Sequence, residues 1–363
     1  MPEPFKLLID AGAIARIAEG CARVAPGFDR ARLLAAAPGL APLELKDRVR
    51  HVAAALRAAL PAAWPEAAAV LVAALPPPLP DDTEVSSGFW LWPVLQVVED
   101  FGADDPQVSL PALREMTRRF SAEFAVRPLL ERHPTEAWAA VDAWASDADP
   151  HVRRLASEGT RPRLPWGRQL RDAVADPSRG LAVIERLVDD PSAYVRRSVA
   201  NHLGDVAKDH PAVAIATAAR WLANRPDRLP LVRHGLRDRL KRGDADALAA
   251  VGTPPAHVDV RDLAARPAVA HSGDRVEITA TLTARDACEV RVDVVWAWPG
   301  ARGGWSSKTF RGGQRRLEAG ASWPFRYALS LRPATTRPLR PGPQRVWLRI
   351  LGVDTAPTSF ELR

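Results

Sequence analysis

The stretch "DPHVRRLAS" at residues 149–157 recurs along the chain, and this repetition decides the fold of its first part. It resembles "SAYVRRSVAN" at 192–201, and "LPLVRHGLRD" at 229–238 echoes both. The Val-Arg pairs of the three segments are 43 and 37 residues apart. A period of about 40 residues, with two helices in each repeat, is typical of HEAT-type solenoids. We therefore expect residues 1–252 to form an all-α HEAT-like-repeat solenoid.

An Asp-Pro pair precedes each of the first two Val-Arg-Arg segments, at residues 149–150 and 190–191. Asp is a favoured helix cap, and Pro is favoured at the first helical position. We therefore expect a helix to begin at each of these prolines. Stacked repeats would bury Val and Leu and place the Arg pairs on one concave surface.

A break interrupts the helical pattern in "LASEGTRPRLPWGRQL" at residues 155–170. Gly159, Pro162 and Pro165 lie within seven residues. A helix does not tolerate this combination, because Gly costs backbone entropy and Pro removes a donor and clashes with the preceding turn. The sequence therefore predicts that a helix ends at Glu158 and that Trp166 lies in a loop.

The hydrophobic period changes at about residue 253. Segments such as "EVRVDVVWAWPG" alternate between polar and apolar residues, and clusters of Gly, Pro and Ser separate them. About seven short strands in this part favour an antiparallel β-sandwich of the immunoglobulin-like kind. We expect a linker at 249–263 and a second domain at 253–363.

The positive charge of the chain is concentrated in its last part. The net charge is +7, and residues 253–363 hold 17 basic and 10 acidic residues, so the rest is neutral. Within the neutral part, residues 151–171 hold six Arg and one Glu. Arg binds phosphate in a bidentate manner that Lys cannot reproduce. Two separate basic regions favour a nucleic-acid partner.

Several other functional classes find no support in the residues. Two distant cysteines predict neither a disulfide framework nor a Cys-based metal site, and the histidines lack the spacing of metal ligands. The chain has no phosphate-binding glycine motif and no nucleophile-elbow motif. No apolar run spans a membrane, and the start lacks a signal-peptide pattern. We therefore expect a cytoplasmic, nucleoid-associated protein with no metal, cofactor or membrane partner.

The Arg pairs admit two interpretations. A single pair is more often a solvated helix face that neutralises nearby acids. Three pairs in register on a concave surface indicate a phosphate track instead. The residues that we expect to contact DNA in the repeats are Arg153, Arg161, Arg163, Arg168, Arg196, Arg197, Lys208 and Arg233.

Three carboxylates lie close to these basic residues in the sequence. They are Glu123, Glu158 and Asp205. Arg154 and Glu158 are four residues apart and should face each other on one helix. Each acid alone most simply neutralises an Arg, but a surface that attracts phosphate has little reason to hold acids unless a cation approaches them. Trp166 in its basic loop could contact a sugar or a cationic ring, whereas Trp138, Trp144 and Trp221 fit core positions.

Together these residues resemble the DNA alkylation repair glycosylases built of HEAT-like repeats, and specifically their AlkC type. The resemblance runs from "EPFKLLI" near the start to about residue 252. It is carried by "SLPALREMTRRFSAEFAVRPLLERHP", "HVRRLASEGTRPRLPWG", "DDPSAYVRRSVANHLGDVAKDHP" and "LVRHGLRDRLKRG". The last part resembles the immunoglobulin-like domain of many AlkC proteins through "SSKTFRG" and "PGPQRVWLRILG".

The resemblance implies a monofunctional glycosylase that removes N3-methyladenine and N3-methylcytosine from duplex DNA without extruding the base. It implies that the catalytic residues are Glu123, Glu158, Asp205, Trp166 and Arg154. We expect a monomer whose second domain clamps the duplex, and charge density points there to Lys308, Arg311, Arg315 and Arg316. The alternative is a non-catalytic HEAT-repeat scaffold that binds DNA or protein, in which the acids are structural.

Overall fold

The computed structural model describes residues 5–80, 85–252, 258–300, 303–332 and 340–363. Contacts between Cα atoms divide the chain into two compact units, Met1–Pro211 and Ala212–Arg363. Every described helix precedes every described strand along the chain. The predicted fold class, a helical part followed by a β part, is therefore confirmed. The predicted domain boundary after residue 252 borders residues outside the described ranges, so it stays a prediction.

The first unit consists of consecutive helices of different lengths, and a longer loop separates α9 from α10. Its 3₁₀ helices are Phe5–Leu8, Ala37–Leu40 and Val85–Leu91. Its α-helices are α1 (Ala11–Val24), α2 (Arg30–Leu34), α3 (Leu45–Ala59), α4 (Trp64–Ala73), α5 (Trp92–Phe101), α6 (Pro106–Thr117), α7 (Arg127–Arg132), α8 (Pro134–Trp144), α9 (Pro150–Gly159), α10 (Arg171–Ala175), α11 (Ser178–Leu187) and α12 (Ala193–Asp209).

The two Val-Arg-Arg helices begin differently. In α9, Pro150 is the first helical residue and the Asp149 carboxylate accepts the His151 amide, as the sequence predicts. The same prediction for the second Asp-Pro pair is wrong, because α12 begins only at Ala193. The Asp190 carboxylate accepts the Ser192 amide and also the guanidinium of an Arg from α9, so it holds the turn before the helix.

The second unit begins with further helices and ends in strands. The helices are α13 (Pro211–Asn224), a 3₁₀ turn (Pro226–Arg228), α14 (Leu229–Gly235), α15 (Arg237–Arg242) and α16 (Ala245–Ala250). The strands are β1 (Val258–Arg266), β2 (Val269–Ala270), β3 (Arg275–Ala284), β4 (Cys288–Pro299), β5 (Trp305–Leu317), β6 (Ser322–Ser330), β7 (Gly342–Ile350), β8 (Val353–Asp354) and β9 (Thr358–Leu362).

The described strands form two sheets that enclose one apolar core. One sheet has the order β1-β3-β6, and the other has the order β2-β9-β7-β4-β5, with β8 beside β7. Among the described pairings, only β2 with β9 is parallel. Strand β4 lies between β7 and β5 in the larger sheet and buries Trp296, whose Nε1 donates to the Gln344 Oε1 of β7 at 2.9 Å.

Three tryptophans assigned to the core from the sequence are buried, with exposures of 9% for Trp138, 4% for Trp144 and 0% for Trp221. No single helix among the described residues is long and apolar enough to cross a membrane. Helices α3 and α4 reach the required length and composition only as a pair, with a bend of 112° between them.

We predict that W296F lowers the free energy of unfolding by about 1–3 kcal/mol, because it leaves the buried Gln344 carbonyl without its donor. Denaturant titration of the full chain measures this change. The control W305F alters an exposed ring, 43% accessible, and should change stability by less than about 0.5 kcal/mol. Equal stabilities for W296F and the wild type would contradict the importance of this bond.

Candidate active site

Helix α9 delivers an acidic side chain to a buried position at its last turn. The helix ends at Gly159, and Glu158 is only 4% exposed. A Cβ atom on Gly159 would lie 2.7 Å from the Val126 side chain, so the glycine lets the end of α9 pack closely against the chain before α7. The helix therefore ends one residue beyond its predicted end at Glu158.

Arg161 joins this acid to a second acid from another helix. Its Nη1 donates to Glu158 Oε1 at 2.6 Å, and its Nε donates to Asp205 Oδ2 at 2.7 Å. Asp205 belongs to α12 and is 1% exposed, and Arg161 itself is 6% exposed. One guanidinium therefore fixes the separation and orientation of two buried carboxylates.

The remaining oxygens of both carboxylates also have donors. Ser198 of α12 donates its hydroxyl to Glu158 Oε2 at 2.6 Å. The Lys208 ammonium donates to Asp205 Oδ1 at 2.8 Å. The lysine side chain is 47% exposed, whereas the Asp205 side chain is 2% exposed, so the lysine is the outer cover of this carboxylate.

Arg154 extends the cluster to a third carboxylate. Its Nη1 donates to Glu123 Oε2 at 2.9 Å, and its Nη2 lies 3.6 Å from Glu158 Oε1. The guanidinium also lies 4.7 Å from the centre of the Tyr194 ring. We call Glu123, Arg154, Glu158, Arg161 and Asp205 the carboxylate cluster. Tyr194 was not singled out from the sequence, because nothing in its spacing relates it to α9.

Glu158 stays ionised despite its burial. Burial raises the pKa of Glu158, but Arg154 and Arg161, with hydrogen bonds from Ser198 and Arg161, more than offset it and hold the pKa below its usual value. The pKa of Arg161 is raised, because Glu158 and Asp205 together outweigh the opposing effect of burial. At neutral pH the cluster therefore presents a carboxylate and not a carboxylic acid at Glu158.

A buried histidine lies behind the cluster. The His202 Nδ1 is 2.9 Å from the Ser157 carbonyl, and burial lowers the pKa of His202 to about 4. This imidazole is neutral at physiological pH and is not a proton donor of the usual histidine kind. The described part of the chain contains no group of three or more His, Cys, Asp or Glu residues arranged to hold a metal ion.

Arg127 anchors the loop that follows α9. Its side chain is fully buried and donates to the carbonyls of Gly159 at 2.8 Å, Arg161 at 2.9 Å and Arg168 at 2.8 Å. Burial lowers the pKa of Arg127 to about 10, which leaves it charged at neutral pH. One side chain thus ties both ends of the loop to α7, and no sequence pattern predicted the burial of this Arg.

Trp166 is presented on the surface by the same loop. Its φ of 64° lies in the left-handed region, and the residue is 55% exposed. Its ring stacks on the buried Trp92, with centroids 6.3 Å apart, and Trp92 stacks in turn on Phe124 at 5.1 Å. The Lys46 ammonium donates to the Trp166 carbonyl. One aromatic face is therefore supported from behind while other parts of the ring remain accessible.

The basic residues predicted to contact DNA are placed unevenly. Arg153 is 14% exposed in its side chain and forms two hydrogen bonds with Asp190, at 2.6 and 3.0 Å. Because Arg154 is also mostly buried, the first Arg pair does not stand free on an outer face, contrary to the expectation for that pair. The exposed members of the set are Arg168, Arg197, Lys208, Arg233, Lys308, Arg311, Arg315 and Arg316.

Of the other members, Arg161 is buried, and Arg163 and Arg196 are partly covered by neighbouring chain. Arg163 forms two hydrogen bonds with Asp209, at 2.6 and 2.7 Å. Arg196 donates to the backbone carbonyls of Asp190 and Pro191. These contacts locate the side chains, and the DNA contacts assigned to them stay predictions.

We predict that R127M loosens the loop and destabilises the protein by about 3 kcal/mol or more, because three carbonyls lose a donor at roughly 1–3 kcal/mol each. Limited trypsin digestion should cut faster after Arg163 and Arg168, and denaturant titration gives the stability. R127K offers a milder variant if R127M does not fold. The exposed control R132M should leave the digestion pattern unchanged, and unchanged cutting in both Arg127 variants would contradict the anchoring role.

Comparison with known proteins gives matches to both parts of the chain. A family model described as "Uncharacterised protein YhaZ, C-terminal Ig-like domain" matches residues 259–363. The protein YhaZ of Bacillus subtilis (strain 168) is 34% identical over 296 residues, which are 81% of each chain.

A solved structure matches almost the whole chain. It is the Pseudomonas fluorescens alkylpurine DNA glycosylase AlkC bound to DNA that contains an abasic-site analog. That protein is 34% identical to this chain, and the two structures superimpose with a TM-score of 0.87. The match covers 99% of this chain and 100% of the AlkC chain. The chain therefore belongs to the AlkC type of the HEAT-like-repeat DNA alkylation repair family, with a C-terminal immunoglobulin-like domain.

Proposed function

We propose that this protein is a monofunctional DNA glycosylase that excises cationic N3-alkylated bases, 3-methyladenine and 3-methylcytosine, from duplex DNA. It hydrolyses the N-glycosidic bond without extruding the base and leaves an abasic site. The observation that carries the proposal is the carboxylate cluster. Its Glu158 and Arg161 lie where the loop that carries the exposed Trp166 begins. The similarity to an alkylpurine DNA glycosylase bound to abasic DNA supports the same reaction class.

The chemistry of a cationic lesion suits this cluster. A base alkylated at N3 already carries a positive charge, so it leaves without being protonated. As the bond breaks, the charge moves to the deoxyribose, which becomes oxocarbenium-like. Fixed carboxylates stabilise that charge and orient a water molecule for attack, and such preorganised groups contribute several kcal/mol. The lowered pKa of Glu158 keeps it in the form that this role requires.

The three carboxylates differ in how closely a deoxyribose can approach them. The exposed fraction of the side chain is 15% for Glu123, 6% for Glu158 and 2% for Asp205. We therefore assign the direct electrostatic contact with the sugar first to Glu123. We assign charge stabilisation and the positioning of the water molecule to Glu158 and Asp205.

A water molecule can reach the buried Asp205 carboxylate only if the Lys208 side chain moves away from it. The lysine covers one carboxylate oxygen and is itself half exposed. A backbone phosphate of bound DNA competes with Asp205 for this ammonium. If the ammonium moves to phosphate, Asp205 Oδ1 becomes free to hold a water molecule beside the sugar. Lys208 then serves both as a DNA contact and as a removable cover.

Trp166 contributes through its accessible ring surface. A desolvated cation–π contact with the sugar or base cation is worth about 1–2 kcal/mol. The stack of Trp92 and Phe124 beneath the ring lowers the freedom that binding would otherwise cost. Arg154 orients Glu123 and Glu158 and thereby sets the geometry that the cation meets.

The proposed partner is double-stranded DNA with alkylated bases, bound by a monomer in the cytoplasm at the nucleoid. The exposed basic residues of β5 support a contact from the second unit, because Lys308, Arg311, Arg315 and Arg316 all face solvent. Such phosphate contacts position a protein on the duplex without reading its sequence.

We predict that E158Q and D205N each lower the single-turnover rate of 3-methyladenine release from methylated duplex DNA by about a hundredfold or more, because each removes a preorganised charge. High-performance liquid chromatography of the released base measures the rate. The matched control is D209N, on the same helix one turn beyond Asp205 and paired with Arg163 outside the carboxylate cluster. It should stay within a few-fold of the wild type.

The same assay separates the enzyme from a non-catalytic scaffold. A scaffold would bind duplex DNA but release no base above the uncatalysed background. Full activity in both E158Q and D205N would show that the acids are structural. Either result would overturn the proposed function.

The effect of Arg161 on the pKa of Glu158 can be tested through the pH dependence of the rate. The lowered pKa of Glu158 means that its charge persists as pH falls until that pKa is reached. We predict that R161Q raises the pKa of Glu158, so that the acidic limb of the pH–rate profile moves up by about one pH unit or more. R161K, which keeps the charge, should move it less. The control R163Q should leave the limb in place, and a uniform loss of rate in R161Q with an unmoved limb would instead support a DNA contact.

A further inference from the structure

A cavity of about 300 Å³ lies in the first unit beside Trp166 and contains no member of the carboxylate cluster. Helices α3 and α5 supply most of its wall, and the loop after α9 closes one side. Liquid water occupies about 30 Å³ per molecule, so the space is ample for a phosphate group with some hydration. Its lining residues are Lys46, Arg50, Trp92, Gln96, Glu99, Phe124, Trp166, Gly167 and Arg168.

Three cationic side chains line this cavity against one acid. Lys46 and Arg50 come from successive turns of α3, and Arg168 comes from the loop. Of these three residues, only Arg168 belongs to the basic residues that are predicted from the sequence to contact DNA. Lys46 and Arg50 lie more than 100 residues earlier in the chain, outside the Arg-rich repeats.

The three cations keep donors that the protein does not use. Lys46 donates to the Trp166 carbonyl, and an ammonium has two further N–H groups. The closest acid to Arg50 is Asp47 at 4.0 Å, and both side chains are more than half exposed, so this pair is weak. Arg168 donates through Nη1 to Glu131, which leaves other N–H groups of its guanidinium.

Glu99 is the one acid among the residues that line the cavity. Burial is the main reason that the pKa of Glu99 is raised, with Asp100 adding to it, while Arg168, Lys46 and Arg50 act in the opposite direction. The cations therefore surround this acid without forming a close ion pair with it in the described structure. The lining residues thus comprise three cations and one acid, while Glu131 pairs with Arg168 and Asp47 lies beside Arg50.

We propose that this cavity, which we call the anion cavity, binds a backbone phosphate of the DNA strand that carries the lesion. The inference rests on the proposed function, in which the Trp166 ring meets the lesion sugar. Each strand of a duplex carries one phosphate for about every 3.4 Å along the axis. A strand whose sugar contacts the Trp166 ring therefore places a neighbouring phosphate within reach of the cavity that the same residue lines.

The composition of the cavity fits a phosphodiester better than an uncharged ligand. An Arg guanidinium and a Lys ammonium are the standard donors to phosphate oxygens. Lys46, Arg50 and Arg168 are themselves exposed, which suits a backbone that remains partly in water. Because Lys46 also holds the Trp166 carbonyl, a phosphate bound there would fix the strand relative to the aromatic ring.

The experiment uses the full chain and a duplex with an abasic-site analogue, so that binding is measured without any reaction. We predict that R50Q reduces the magnitude of the negative slope of log affinity against log salt concentration, and that K46Q/R50Q reduces it by about 0.9, the value for one lost phosphate contact. The single variant R50Q leaves the bond between Lys46 and Trp166 intact. The matched control is R23Q, an exposed Arg of α1 outside the cavity, which should keep the wild-type slope.

Duplexes with one uncharged methylphosphonate identify the phosphate. Replacing the correct phosphate near the lesion should weaken wild-type binding by about tenfold and leave the affinity of K46Q/R50Q unchanged. Raising inorganic phosphate at constant ionic strength tests whether the cavity binds a free anion. In that case inorganic phosphate would weaken the binding of all duplexes equally. The inference is overturned if no position couples to Lys46 and Arg50. Position-specific coupling without base release would instead keep the anion cavity and reject the proposed function.

Discussion

The guanidinium of Arg161 is the interaction on which the rest of the candidate site depends. It joins Glu158 at the end of α9 to Asp205 near the end of α12, although the two acids are far apart in sequence. Two carboxylates at close range would repel each other and raise each other's pKa, and burial would add to this. The arginine between them lets both be buried in one place. Ser198 and Lys208 then complete the hydrogen bonds of the pair.

The loop after α9 places the exposed Trp166 ring on the surface, where a ligand can contact it. Arg127 holds the carbonyls at both ends of the loop, and this leaves Trp166 to adopt a left-handed backbone conformation. A non-glycine residue at positive φ costs free energy, and it persists only where its surroundings fix it. Here the stack on Trp92 and the donor from Lys46 supply that support. The carboxylate cluster and the exposed Trp166 ring are thus formed by different residues, and the loop after α9 connects them.

Local signals in the sequence predicted much of this arrangement. The break at Gly159 placed Glu158 at a helix end, and the spacing of four residues placed Arg154 beside it, because both effects act within a turn or two of chain. Long-range pairing was not predictable. Arg153 contacts Asp190 across 37 residues, and no local pattern distinguishes such an Arg from one that faces solvent. The buried Arg127 was missed for the same reason, since its neighbours in "VRPLLER" resemble any amphipathic turn.

The central claim is that fixed carboxylates stabilise a sugar cation and that no group protonates the base. The most direct measurement compares release of cationic 3-methyladenine with release of neutral hypoxanthine from otherwise identical duplexes by the wild-type protein. The account predicts rapid release of 3-methyladenine and no release of hypoxanthine above background, because the neutral base needs a proton donor that the carboxylate cluster does not provide. Comparable release of the two bases would contradict it.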